Sequence, residues 1–188
     1  MSTIFYLIGW PGSGKRTVGL ALAALTGAQL LDNHLINDPV FRAVGANGVG
    51  SLPDGVWPLV HRIADAVLEA VEHVAPLDLS YIFTNVLVDR PGESAVYEER
   101  QRLAQVRGAQ FVPVWLSCNL AELHRRIPLD ERRERAKMRD PEALTQMMTR
   151  HGSLLPRPPE ALLVHTDQHT PQDSAHLILT YAERLAGT

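Results

Sequence analysis

Two glycines and a lysine stand at a spacing suited to one task, the holding of phosphate. The segment Gly9-Trp10-Pro11-Gly12-Ser13-Gly14-Lys15 fits the pattern Gly-four residues-Gly-Lys. Glycines let successive backbone N–H groups turn inward and form a nest around an anion. A helix N-terminus behind the nest adds partial positive charge. Lys15 then reaches the β- and γ-phosphates and draws charge off a transferring phosphoryl group. The plain alternative is a glycine-rich turn between strand and helix, but the lysine, the spacing and the strand before the motif favour phosphate. One position departs from the pattern. The residue after the lysine is ordinarily Ser or Thr, whose hydroxyl ligates Mg²⁺. Here it is Arg16, and Thr17 follows one helical step of about 100° further round. Arginine has no acceptor atom and cannot ligate a cation. Arg16 either points away and leaves water in the hydroxyl's place, or turns its guanidinium to the phosphates; Thr17 is an uncertain substitute ligand.

The elements that must position this loop follow from the apolar pattern. Residues 3–8 are a continuous apolar and aromatic run closed by Gly9, as a strand buried on both faces requires. A helix is expected over 15–25, stopped at Gly27. Further strands are expected at 28–31, 81–84, 111–116 and 162–165. Helices are expected at 56–74, 94–106, 120–127, from Asp140-Pro141-Glu142 to Arg150, and from Thr170-Pro171 to about 185. Residues 37–55, polar and glycine-rich, read as loop with one helical turn. Strands alternating with helices imply an α/β fold with a parallel sheet and right-handed crossovers. Ligands of such sheets bind at the carboxyl ends of the strands. The phosphate loop, Asp32-Asn33-His34 and Thr166-Asp167 all fall at such ends.

Bulk properties narrow the partners. The chain has 188 residues, a size for one domain spanning 1–188. Its net charge of −3 gives no support for nucleic acid or a membrane surface. The single cysteine, Cys118, excludes an internal disulfide and suits a cytoplasmic protein. No apolar run is long enough to span a bilayer, and no signal peptide is read. Against this acidic balance, seven of the eighteen basic residues crowd into residues 125–139. Solvated i,i+4 pairing explains some of them but not the density.

Five elements match in order: the phosphate loop, an Asp at the end of the second strand, a basic stretch after the fourth, an Arg on the next helix, and a Thr-Asp…Thr-Pro turn after the fifth. In this the chain resembles the small kinases related to shikimate kinase, gluconate kinase and chloramphenicol phosphotransferase, within the nucleoside-monophosphate-kinase-like group. The resemblance implies a three-layer P-loop NTPase fold, with a five-stranded parallel sheet of order 2-3-1-4-5 and a short basic lid over about 125–139. It implies ATP and Mg²⁺ as cofactors. Gly9, Pro11, Gly12, Ser13, Gly14, Lys15, Arg16 and Thr17 would then hold the phosphates. Arg126 would stack on adenine, and Thr166, Asp167, Thr170 and Pro171 would form the adenine loop, although helix capping alone accounts for Thr170. Arg132 and Arg133 would be the catalytic lid arginines. Asp32 would hold the metal through water, with a helix N-cap as its plain alternative. Asp32 or His34 could accept the acceptor's hydroxyl proton, and Arg150 would bind the acceptor. Trp57, Arg42 and Arg62 are further candidates for the acceptor pocket, though a tryptophan such as Trp57 is more often core. The Asp-Gly-Phe/Tyr-Pro-Arg pattern of adenylate-kinase relatives is absent after Thr84-Asn85.

The expected activity is transfer of the γ-phosphoryl of ATP to the hydroxyl of an unidentified small molecule. Two other readings stand beside it: a nucleotide-binding module with little kinase activity, which Arg16 favours, and a nucleotide or nucleotide-sugar kinase of zeta-toxin type.

Overall fold

The computed structural model describes residues 1–48, 50, 52–129 and 137–187. Five parallel strands form one sheet: β1 (Thr3–Ile8), β2 (Gln29–Asp32), β3 (Tyr81–Asn85), β4 (Gln110–Ser117) and β5 (Leu162–His165), in the order β2-β3-β1-β4-β5. The pleat sends alternate residues of β1 to opposite faces, and both faces are covered. Phe5 and Leu7 pack with Val18, Leu22, Ala175 and Ile178 on one side. Ile4, Tyr6 and Ile8 pack with Leu68, Val71 and Leu103 on the other. This two-sided burial is why β1 carries an unbroken apolar run.

Strand register sets the rim on which the site is built. Ile8 at the end of β1 lies beside Asn85 of β3 and Trp115 of β4. Asp32 at the end of β2 lies beside Thr84, and Ser117 beside His165. The carboxyl ends of all five strands therefore stand along one edge.

The helices are α1 (Lys15–Thr26), α2 (Asn33–Ala43), α3 (Val56–Glu69), α4 (Glu93–Val106), α5 (Leu120–Arg126), α6 (Pro141–His151) and α7 (Pro171–Ala186). Caps explain several of their ends. Asp140 accepts from the N–H of Glu142 before α6, with Pro141 at the first position. Thr170 and Asp173 form a reciprocal capping box at α7.

Two expectations need correction. Residues 33–43, most of which the sequence suggests as loop, form the eleven-residue helix α2. Asp32 caps it, and Pro39 inside it disguises the pattern by removing an N–H from the helical ladder. Ile36, Val40 and Phe41 of α2 close a small separate core with Val56 and Val60 of α3. The helix expected over 56–74 is also not uniform: Ala70–Val74 is a π-helical turn, with the Ala75 N–H bonded to the Ala70 carbonyl at 2.9 Å.

Such a turn leaves carbonyls without helical partners. Arg107 at the end of α4 takes them up. Its buried guanidinium donates to the carbonyls of Val71, Ala75, Pro76 and Leu79 and lies 5.3 Å from the Tyr81 ring centre. Truncation would strand several buried acceptors at once. Arg107→Ala is expected to lower unfolding free energy by about 3 kcal/mol, from the cost of unsatisfied buried groups. Arg107→Lys should recover only part of this, because an ammonium cannot span the same carbonyls. Urea denaturation of the three proteins checks it.

Candidate phosphate-binding and transfer site

The loop between β1 and α1 is shaped by close approach. A Cβ on Gly9 would stand 2.5 Å from Ser13 Oγ and 2.7 Å from the Leu116 carbonyl, so no larger residue fits without displacing backbone. Gly14 enters the helix in the left-handed region, at φ 85°. The Val18 N–H donates to the Gly14 carbonyl at 2.9 Å, the first bond of the helical ladder. The amides before it belong to the helix's open N-terminus and are available to an anion. Lys15 lies along the loop, its Nζ donating to the carbonyls of Gly9 at 2.7 Å and Trp10 at 3.0 Å.

A second set of bonds fixes the loop against β4 and β5. The Thr166 hydroxyl donates to the carbonyls of Ser13 at 2.9 Å and Ser117 at 3.2 Å. Arg126 donates to the Thr166 carbonyl at 2.9 Å and its hydroxyl at 3.3 Å, and its Nε donates to Glu122 at 2.7 Å. Its Nη1 would lie 3.7 Å from a Cβ on Gly14, so the guanidinium flanks the entrance to the loop. Arg125 and Arg126 together hold the Glu122 carboxyl down to about 2. Asp167 accepts from the backbone and side chain of Asn119, at 3.2 and 2.6 Å, which anchors the start of α5. Thr170 is engaged in the α7 capping box, and Pro171 borders the cleft.

Across the cleft lies Asp32, only 2 % exposed. Oδ1 accepts from the Thr84 hydroxyl at 3.1 Å and the His34 N–H at 3.3 Å, the latter being the N-cap bond of α2. Oδ2 accepts from Lys137 Nζ at 3.0 Å, and Arg16 Nε stands 3.6 Å from the same atom. Burial resists ionisation of this carboxyl. The bond from His34 and the Lys137 charge oppose it and hold Asp32 well below the usual carboxylate range. His34 shifts the other way from a free histidine: burial pushes it below its ordinary value of 6.5, against the pull of Asp32. Its Nδ1 lies 2.9 Å from Asn33 Oδ1 and 3.7 Å from Asp32 Oδ1. Two acceptors near Nδ1 favour the proton there, which leaves a lone pair on Nε2.

These residues do not present a magnesium site in this arrangement. The hydroxyl that would ligate the ion is replaced by Arg16, and both oxygens of Asp32 receive protein donors. Thr17 is exposed at the cleft wall, and no cluster of three acidic, histidine or cysteine groups suited to a metal occurs among the described residues.

The cleft encloses about 1990 Å³ and joins the phosphate loop to a pocket beside α2, α3 and α4. Pro11, Gly12, Gly14, Lys15, Arg16 and Thr17 border its phosphate end, while Gly9 and the buried Ser13 underlie it. His34 and Arg150 border the other end, Arg150 from α6. Trp57 is half exposed there, edge-on to Phe41 with centroids 5.9 Å apart, so it is no core residue. Arg42 and Arg62 are not among the described lining residues. Arg132 and Arg133 lie outside the described residues, with residues 130–136 of the expected lid. Three participants have no motif in the sequence: Lys137, Thr84 and Arg100. Arg100 is 4 % exposed, paired with Glu99 and set 5.2 Å from the Phe83 ring centre at the cleft wall. Only the basic density around 137 could have pointed to Lys137.

No family model matches the chain. A shikimate kinase of Thermobifida fusca (strain YX) is 28% identical over 177 residues, which is 92% of this chain and 90% of that protein. Among solved structures, a sugar kinase from Janibacter sp. HTCC2649 superposes with a TM-score of 0.63 at 18% identity, covering 97% of this chain and 95% of the other. A gluconokinase from Sinorhizobium meliloti 1021 gives 0.62 at 18%, covering 99% and 94%. A shikimate kinase from Acinetobacter baumannii in complex with shikimate gives 0.53 at 19%, covering 100% and 96%. The fold is therefore that of the small P-loop kinases, as the sequence resemblance implies.

The ionised Asp32 stabilises the fold only while it stays charged. Its folded value lies below the usual 3.8, so the gain is full above that pH, begins to shrink beneath it and is lost as pH falls through the lower folded value. At pH 7, Asp32→Asn is expected to cost about 2 kcal/mol, the scale of a lost charged hydrogen bond. The gap between the two proteins should narrow below pH 4. Thermal melting from pH 7 to pH 3 measures it.

Proposed function

We propose that this chain is an ATP-dependent kinase that transfers the γ-phosphoryl group to the hydroxyl of a small molecule. The observation that carries this reading is the glycine nest with Lys15, facing Asp32 and His34 across one cleft. ATP would lie with its phosphates on residues 9–17 and its base near Arg126 and the Thr166–Pro171 turn. The acceptor would occupy the pocket beside Trp57, His34 and Arg150. A shikimate kinase as the curated relative, and sugar and gluconate kinases as neighbours in fold, favour a small hydroxylated acceptor.

The chemistry then runs on the chain's own groups. His34 Nε2 takes the acceptor's hydroxyl proton as its oxygen attacks the γ-phosphorus. The bond from that phosphorus to the bridging oxygen breaks, and ADP departs with the bonding pair. Asp32 Oδ1 stands 3.7 Å from His34 Nδ1, so its charge steadies the imidazolium that forms. Lys15 moves from its loop carbonyls to the phosphates and balances charge on the transferring group. Arg132 and Arg133 are proposed to complete the phosphate end from the lid. The burial that depresses His34 keeps it neutral, and so able to act as a base, at pH 7.

Lys15→Ala should weaken ATP binding or phosphoryl transfer severely, read by calorimetry and by release of labelled γ-phosphate onto a panel of hydroxyl compounds. Unchanged behaviour in both assays would remove the phosphate-loop assignment. His34→Gln should lower turnover by about 10²–10⁴-fold, the usual worth of a general base. Wild-type turnover should fall as pH drops beneath the lowered His34 value, and that inflection should vanish in His34→Gln. Persistence of the inflection would assign it to another group and remove His34 as the base.

A further inference from the structure

A carboxylate oxygen on the cleft wall facing the phosphate loop receives two protein cations where a divalent metal would be expected. Asp32 Oδ2 has Lys137 Nζ at 3.0 Å and Arg16 Nε at 3.6 Å. The carboxylate's other oxygen is committed to the Thr84 hydroxyl and the α2 cap. Arg16 is in the first turn of α1, directly after Lys15, and borders the cleft with it. Its side chain is 35 % exposed, so it is reachable from the cleft, and it turns toward Asp32 rather than away from the site. Lys137 lies near the end of the basic stretch and borders the cleft. Two residues on, the Arg139 N–H donates to the Gly48 carbonyl at 3.3 Å, which ties this part of the chain to the loop after α2.

We propose that Arg16, assisted by Lys137, is a resident cation for the β- and γ-phosphates and stands in for the charge a bound metal would bring. A hydroxyl at position 16 would recruit charge only through the ion it ligates. A guanidinium carries its own charge, has no acceptor atom for a metal, and matches phosphate oxygens with paired donors. The swing from Asp32 to phosphate is a short exchange of one oxyanion for another. The metal-free triphosphate is more negative than its metal complex, so a fixed cation favours the metal-free form. A motif hydroxyl gives no such preference. The inference rests on the reading that ATP occupies the phosphate loop.

The test is calorimetric titration of ATP, with Mg²⁺ in excess and again with EDTA, into wild type, Arg16→Thr, Arg16→Lys and Lys15→Ala. Wild type should bind ATP in EDTA at least as tightly as within about threefold of its affinity in Mg²⁺. Arg16→Thr, which restores the usual hydroxyl, should lose about tenfold or more in EDTA relative to Mg²⁺, the scale of one charged hydrogen bond. Arg16→Lys should keep the wild-type ratio, because it keeps the charge; a merely structural arginine would not be rescued this way. The proposal is overturned if wild type and Arg16→Thr share the same ratio, or if wild type already loses tenfold in EDTA. A Lys15→Ala protein that both binds ATP and transfers phosphoryl like wild type would instead remove the phosphate-loop reading itself. Circular dichroism of each variant separates a folding failure from a binding change, and Arg16→Lys alone then decides: a wild-type ratio supports the proposal, and a tenfold loss in EDTA defeats it.

Discussion

A buried carboxylate must be neutralised locally, and the cleft is organised around how Asp32 meets that requirement. Its oxygens draw in the cap of α2, the hydroxyl of Thr84 on β3, Arg16 of α1 and Lys137. These partners come from four separate stretches of chain. An isolated charge in this position would be expelled or protonated. Surrounded in this way, it stays ionised and fixes the distance between the phosphate end and the acceptor end of the cleft. The depressed basicity of His34 belongs to the same enclosure, since the burial that shields Asp32 also discourages a second charge next to it.

The phosphate loop shows what one stretch of sequence can convey. Its glycines, its lysine and the helix behind it are local, and the energetic demand they meet is local too. The same holds for the α7 capping box, whose two residues lie three apart. Sheet order was legible only through resemblance, because one-handed crossovers by themselves leave several orders open. Where contact partners are distant in sequence, the reading stops. Lys137 and Asp32 are 105 residues apart, and nothing in either neighbourhood announces the pairing. Helix α2 was hidden for a different reason. Its polar positions and Pro39 look like loop, and only packing of Ile36, Val40 and Phe41 on α3 reveals a helical face. Arg16, in contrast, is visible in sequence as an anomaly, but its direction is not. Both alternatives open at that stage turned on where the guanidinium goes, and that is a question of tertiary surroundings.

The two halves of the cleft are built differently. The phosphate half is backbone held on the edge of the sheet, tied by Thr166 to the carbonyls of Ser13 and Ser117. The other half is bordered by α2 and α3, which close a small core of their own, although Leu68 near the end of α3 reaches the layer under the sheet. Side chains there can be exchanged without disturbing the main core, and so acceptor preference can differ between chains that share a phosphate loop.

The Arg107 clamp has a corollary for sequence drift. Its four acceptors are all main-chain carbonyls, so the identities of residues 71, 75, 76 and 79 are irrelevant to the bonds themselves. What constrains those side chains is packing instead: Val71 is buried in the core, Ala75 and Leu79 pack against it, and Pro76 is exposed. Arg107 has no such latitude, because no other side chain offers so many donors on one rigid plane. Constraint is thus of two kinds across a single set of contacts: the arginine is pinned by its bonds, and its partners only by their packing. In a family of such chains, an invariant arginine facing positions that keep apolar character but not identity would be the trace this geometry leaves.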